Sequence, residues 1–128
     1  MYSQVNGMGL FGMNAFKVTA EIISSRGQPS FDIVGLGDLA VQESKMRIKG
    51  ALSGIGIAIS GQKLTVNLAP ADVRKCGSLY DFTIIAAILA VNNIITDDLS
   101  DCAFIGEVSL GGSLVFTGGI ISMAIEAK

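Results

Sequence analysis

The residues best placed to do chemistry crowd into one stretch. Val66, Asn67, Leu68, Ala69 and Pro70 lead into Ala71, Asp72, Val73, Arg74 and Lys75, with Gly77, Ser78 and Asp81 just beyond. Arg74 and Lys75 set a guanidinium beside an ammonium in a turn, which suits DNA phosphates or an acidic protein patch; in a solvated turn the same pair merely keeps an edge soluble. Asp72 can pair with Arg74 or close the turn. Asp81 is placed to cap a helix starting near Phe82, its carboxylate accepting from the free amides of the first turn. A second basic strip, Arg47 and Lys49 with Lys45 nearby, falls on a predicted helix, where such strips are ordinarily solvated. Asp97, Asp98 and Asp101 form an acidic loop of opposite character. A basic strip on one copy meeting an acidic loop on the next would build a ring head to tail.

Several chemistries are excluded. The 128 residues contain no histidine, which removes Ser-His-Asp triads, Cys-His dyads and His-based metal sites. Cys76 and Cys102 are far apart and form no C-x-x-C, so they read as two reduced thiols rather than a structural disulfide. No G-x-x-x-x-G-K-[ST] is present, and the Gly-Gly pairs at 111–112 and 118–119 read as turns, not phosphate cradles. The net charge of −2 lacks the basic excess of a free-standing nucleic-acid binder, leaving room only for a local patch. No apolar run reaches the roughly 18 residues of a membrane span, and the N-terminus has no signal-peptide pattern. A cytoplasmic protein without membrane contact is expected.

Half of the residues are apolar and 16% are charged, enough for a folded core in one domain, 1–128. Strands are predicted over 2–10 and 15–24, joined by a tight connection, and the second alternates with period two, as in an antiparallel sheet wet on one face. A third strand follows over 30–34. Asp38 is a predicted N-cap for a helix over about 39–52, on which Glu43 and Arg47 stand four apart in the favourable order. A strand over 62–69 ends at Pro70, which has no amide hydrogen to donate. A mostly apolar helix over about 79–92 implies burial on most sides. Residues 102–110 and 113–116 read as a hairpin, and a last apolar helix opens after Gly119. That helix has barely begun at Lys128, so the chain is expected to continue in a longer protein. The order predicts an α+β fold with helices on one face of a mainly antiparallel sheet.

Four segments resemble the competence-associated magnesium-chelatase-like AAA+ family, ComM or YifB. They are Arg26-Gly27-Gln28-Pro29-Ser30-Phe31 with Ile33-Val34-Gly35-Leu36; Asp38 through Ser44 with Arg47; the stretch from Val66 to Lys75 with Gly77, Ser78 and Asp81; and Gly106-Glu107-Val108-Ser109-Leu110 with Gly112-Ser113-Leu114. They occur in the family's order and cover essentially the whole chain. The resemblance implies a fold like the second domain of ribosomal protein S5, shared with the Lon protease domain. It also implies an AAA+ module downstream, which would bind ATP and magnesium, neighbouring subunits in a hexamer, and a link to DNA branch migration in competence. The sequence departs from the family where Gly37 replaces a usual proline, and where Val115 and Gly119 stand in place of arginines.

The Lon-like fold raises peptidase chemistry, in which a serine needs a nearby amine of lowered pKa to take its proton. Ser78 lies in the corresponding loop, where a register one residue on would put Leu79 at the serine position, and the lysine position falls on Ile120 or Ile121, so the Ser-Lys dyad is missing. The expected role is a non-catalytic accessory domain that helps an AAA+ motor engage DNA or assemble its ring. Its candidate interaction surface is Arg74, Lys75, Ser78, Asp81, Arg47 and Lys49, with no cofactor or metal of its own. The alternative is a purely structural oligomerisation module without nucleic-acid contact. A subunit handling magnesium and porphyrin ranks below both, because it rests on a family name and on no residue here.

Overall fold

A computed structural model of the chain describes residues 1–11, 14–58, 61–71, 75, 78–115 and 119–128, and of Asp38 the backbone alone. Tyr2–Phe11 (β1) and Asn14–Arg26 (β2) form an antiparallel hairpin in register from Tyr2↔Ile23 to Phe11↔Asn14. The period-two pattern puts Val18, Ala20 and Ile22 on a face with no solvent exposure, and Lys17, Thr19 and Glu21 on the other. Ser30–Val34 (β3) and Gln62–Ala69 (β4) complete the sheet in the order β1-β2-β4-β3. β4 runs antiparallel to β2 and parallel to β3, so the sheet is mixed. A parallel neighbour needs a crossover, and the helix Asp38–Gly54 (α1) supplies it. The Ala69–Pro70 peptide after β4 is cis.

The helix Asp81–Val91 (α2) buries Thr83, Ile84, Ile85, Ala86, Ala87, Ile88 and Val91. With Ile48, Ala51 and Leu52 of α1 and Val5, Leu64, Val66 and Leu68 of the sheet, the apolar residues among them, all but Thr83, make one core. The two glycines of β1 let α2 approach. A Cβ on Gly7 would stand 2.5 Å from Thr83 Oγ1, and one on Gly9 would stand 2.6 Å from the Tyr80 hydroxyl.

The helix Ile120–Ala127 (α3) departs from the sequence expectation. Its buried Met123 lies outside the main core, as does the buried Met8 of β1. Gly119, at the N-cap of α3, sits against Leu10, which alternates with Gly9 and so points away from α2. The helices therefore do not share one face: α1 and α2 cover one side, and α3 covers the hairpin end of the other. The reason lies in β1. Its second face runs Tyr2, Gln4, Asn6 and then Met8 and Leu10, so only the far end offers apolar surface to a helix.

Among the described residues the expected hairpin is also shorter, pairing Glu107–Val108 (β5) with Leu114–Val115 (β6), and Phe116 at its expected end lies outside them. The preceding residues spend their backbone groups elsewhere. Phe104 N–H donates to Asn6 O at 2.8 Å, and Gly106 N–H donates to Leu79 O at 3.0 Å. Among the described residues, no helix is long and apolar enough to cross a membrane.

Candidate functional site

The approach to α2 brings together two of the candidate residues, Arg47 and Asp81, and it begins with α1. Ser44 and Arg47 stand three apart, on one side of that helix. Both reach the first residue of α2. Arg47 Nε donates to Asp81 Oδ2 at 2.6 Å and Nη2 donates to Asp81 Oδ1 at 3.1 Å, a two-point contact that suits the planar guanidinium. Ser44 Oγ donates to Asp81 Oδ1 at 2.9 Å and accepts from Arg47 Nη2 at 3.1 Å. The Val108 amide of β5 adds a longer contact to Asp81 Oδ2 at 3.4 Å. One carboxylate thus joins α1, α2 and β5.

Asp81 has no solvent exposure, while the Arg47 side chain keeps 21%. Hydrogen bonding to Asp81 holds the Arg47 guanidinium above its ordinary pKa. Partial burial works against this, and the charges of Asp81, Glu107 and Glu43 work with it. One expectation is corrected. Asp81 does not cap its own helix: Tyr80 occupies the N-cap and Phe82 N–H donates to Gly106 O at 3.0 Å. The Arg47 donors Nε and Nη2 are turned onto Asp81 and Ser44, while Glu43, one turn away, adds its charge to the guanidinium.

The remaining candidates separate. Lys75 is buried at 3% exposure, and its Nζ donates to the Pro70 carbonyl, so it is not a solvated loop cation. Ser78 is half-buried and its carbonyl accepts from Asp81 N–H at 3.3 Å. Lys49 is exposed, at the rim of a groove of about 180 Å³ between Phe31, Leu52 and Leu64. Arg74 and Asp72 lie outside the described residues. Asp38, expected as an N-cap, is the first residue of α1, with Gly37 at the N-cap. In the acidic loop, the Ser100 amide donates to Asp98 Oδ1 at 3.0 Å and pulls the Asp98 carboxyl below its ordinary pKa. Lys45 makes a 4.0 Å pair with Asp32 on the surface.

One polar group escaped the sequence reading. On the open sheet face, Tyr2 OH lies 3.0 Å from Glu21 Oε2 and 3.0 Å from Gln4 Oε1, and Asn67 Nδ2 donates to Glu21 Oε1 at 3.2 Å. The signal was the unusual Asn67 inside an apolar strand, whose cross-strand partner is Glu21.

Residues 20–128 match the family described as Subunit ChlI of Mg-chelatase. The chain is 37% identical over 126 residues to the Escherichia coli protein YifB, covering 98% of this chain and 25% of that one. It is 35% identical over 118 residues to the competence protein ComM of Haemophilus influenzae, covering 91% of this chain and 23% of ComM. A Mycobacterium tuberculosis protein is 32% identical over 118 residues. The chain spans about a quarter of the length of these relatives.

Proposed function

The chain belongs to the magnesium-chelatase-related family of the subunit ChlI, and we propose that it serves there as a non-catalytic accessory domain of an AAA+ ATPase, assisting DNA engagement or ring assembly in recombination and branch migration. The observation that carries this is coverage. Nearly the whole chain, 98%, aligns with only 25% of its YifB relative, which supports reading it as one part of a longer protein. The ATP and magnesium chemistry is assigned to the remainder, and the partners are that AAA+ module, neighbouring subunits of a cytoplasmic hexamer, and DNA. Three strands, a helix, a strand and a helix, with sheet order β1-β2-β4-β3, support a fold like the second domain of ribosomal protein S5. The positions proposed to correspond to the Lon lysine carry isoleucine, which supports a Lon-like frame without peptidase function.

The test compares the native gene product with the 128-residue chain. The 128-residue chain should release no labelled phosphate from ATP, whereas the native product should turn ATP over and bind branched DNA with an affinity that falls steeply with salt. Turnover by the 128-residue chain alone would sink the accessory reading.

A second reading, a structural oligomerisation module without nucleic-acid contact, is favoured by the fate of the basic residues. Arg47 is committed to Asp81 and Lys75 is buried, on a chain of net charge −2. Ring assembly by the native protein together with DNA affinity unchanged on deleting this domain would favour it.

A further inference from the structure

The second face of the sheet carries a helix that is apolar on nearly every side. α3 reads Ile-Ile-Ser-Met-Ala-Ile-Glu-Ala, yet only Met123 is buried. At about 100° per residue, Ile121 and Ile125 stand roughly 160° from Met123, so they point directly away from the sheet. Their exposures, 74% and 72%, agree with that geometry, and Ile120 on the flank is 46% exposed. Single exposed apolar side chains are ordinary, but three isoleucines on one eight-residue helix are not. A helix this apolar belongs between two packed layers, and α3 has one.

We propose that the Ile121–Ile125 face of α3 is covered by another part of the same polypeptide, an apolar segment of the longer protein of which this chain is one portion. The proposal rests on the accessory-domain reading and names the surface through which that domain is fixed to the rest. The occupant is argued from length: the relatives carry about three quarters of their residues outside the matched portion. A covering segment of the same chain also needs no second binding event, since its effective concentration is set by the connection between them.

The experiment introduces Ile125→Cys in a Cys76→Ser/Cys102→Ser background and follows the rate of thiol labelling. It is done in the native gene product and in the 128-residue chain, each over a range of concentrations. Labelling should be at least about tenfold slower in the native product, at any concentration, because the face is reached only by local opening. Ile121→Glu/Ile125→Glu should lower the melting temperature of the native product and leave that of the 128-residue chain unchanged. Equal labelling rates would overturn the proposal. So would protection of the 128-residue chain that grows with concentration, which would identify a second copy as the occupant. A gene product without a P-loop module would defeat the accessory reading itself, an outcome read from its sequence and ATP turnover, independently of labelling.

Discussion

Arg47 and Asp81 are 34 residues apart in sequence and meet through two hydrogen bonds of 2.6 and 3.1 Å. The contact fixes how the crossover helix α1 sits against α2, and Val108 extends it to β5. These two candidate residues form a polar joint between the helices.

Breaking that joint from one side should be costly. Asp81→Ala leaves a mostly buried guanidinium without its carboxylate, and Arg47→Met leaves a buried carboxylate without its cation. Each should destabilise the fold by about 3 kcal/mol, the lower end for buried pairs because Arg47 keeps some water contact. Arg47→Met/Asp81→Leu should cost clearly less than the sum of the two single changes, since no charge is stranded. Urea denaturation with unchanged m-values measures all three. Additive losses would mean that the pair is not coupled.

A second prediction concerns the approach of α2 to β1. Gly7→Ala places a methyl 2.5 Å from Thr83 Oγ1 and 3.0 Å from the Phe104 carbonyl. Overpacking of this kind should cost about 1–3 kcal/mol. Thr83→Ala removes the clashing hydroxyl and also its 2.6 Å hydrogen bond to Phe104 O. The double variant should therefore be more stable than additivity allows, a coupling that a denaturation cycle reads directly.

Much of this architecture was legible because its signals are local. The limits of β3 and β4 follow from Pro29 and Pro70, and the core face of β2 follows from an alternation broken only at Ile23. The parts that were not legible depend on partners distant in sequence. Nothing near Asp81 distinguishes a helix cap from a ligand of Arg47, because both place a carboxylate at a helix start. The segment before β5 has a strand-like composition, but its backbone groups are taken by Asn6 and Leu79. The side on which α3 packs is set by Met8 and Leu10, more than 100 residues earlier. Of the candidate surface, Lys49 is exposed, whereas Lys75 is buried against a carbonyl that lies five residues back in its own loop.

The open sheet face makes a pH prediction. Hydrogen bonding to Glu21 raises the Tyr2 phenol above its ordinary pKa, with desolvation and the Glu21 charge acting the same way. A raised acid binds its proton more tightly when folded. Whatever stability the contact contributes is thus present below the unfolded value and lost as pH rises through the folded one. The ¹³Cζ resonance of Tyr2 should titrate above the ordinary tyrosine value, and Glu21→Ala should move its midpoint down. A midpoint insensitive to Glu21→Ala would remove Glu21 as the cause.

Lys75 and Lys49 separate structural from interfacial cations. Lys75→Met removes a buried amine that donates to the Pro70 carbonyl. Losing a hydrogen bond from a charged donor costs about 1.5–3 kcal/mol, so the variant should unfold at lower urea. Lys49 is exposed on α1, where Lys49→Ala should change stability by no more than about 0.5 kcal/mol. If the domain engages DNA through this side, Lys49→Ala in the native protein should weaken binding evenly across DNA sequences. It should also lower the slope of log affinity against log salt by about one. Correctly folded Lys75 variants should leave that slope unchanged. A slope that falls for Lys75→Met and not for Lys49→Ala would move the nucleic-acid contact to the loop after Pro70. Slopes unchanged for both, with ring assembly lost, would leave assembly as the role of this face.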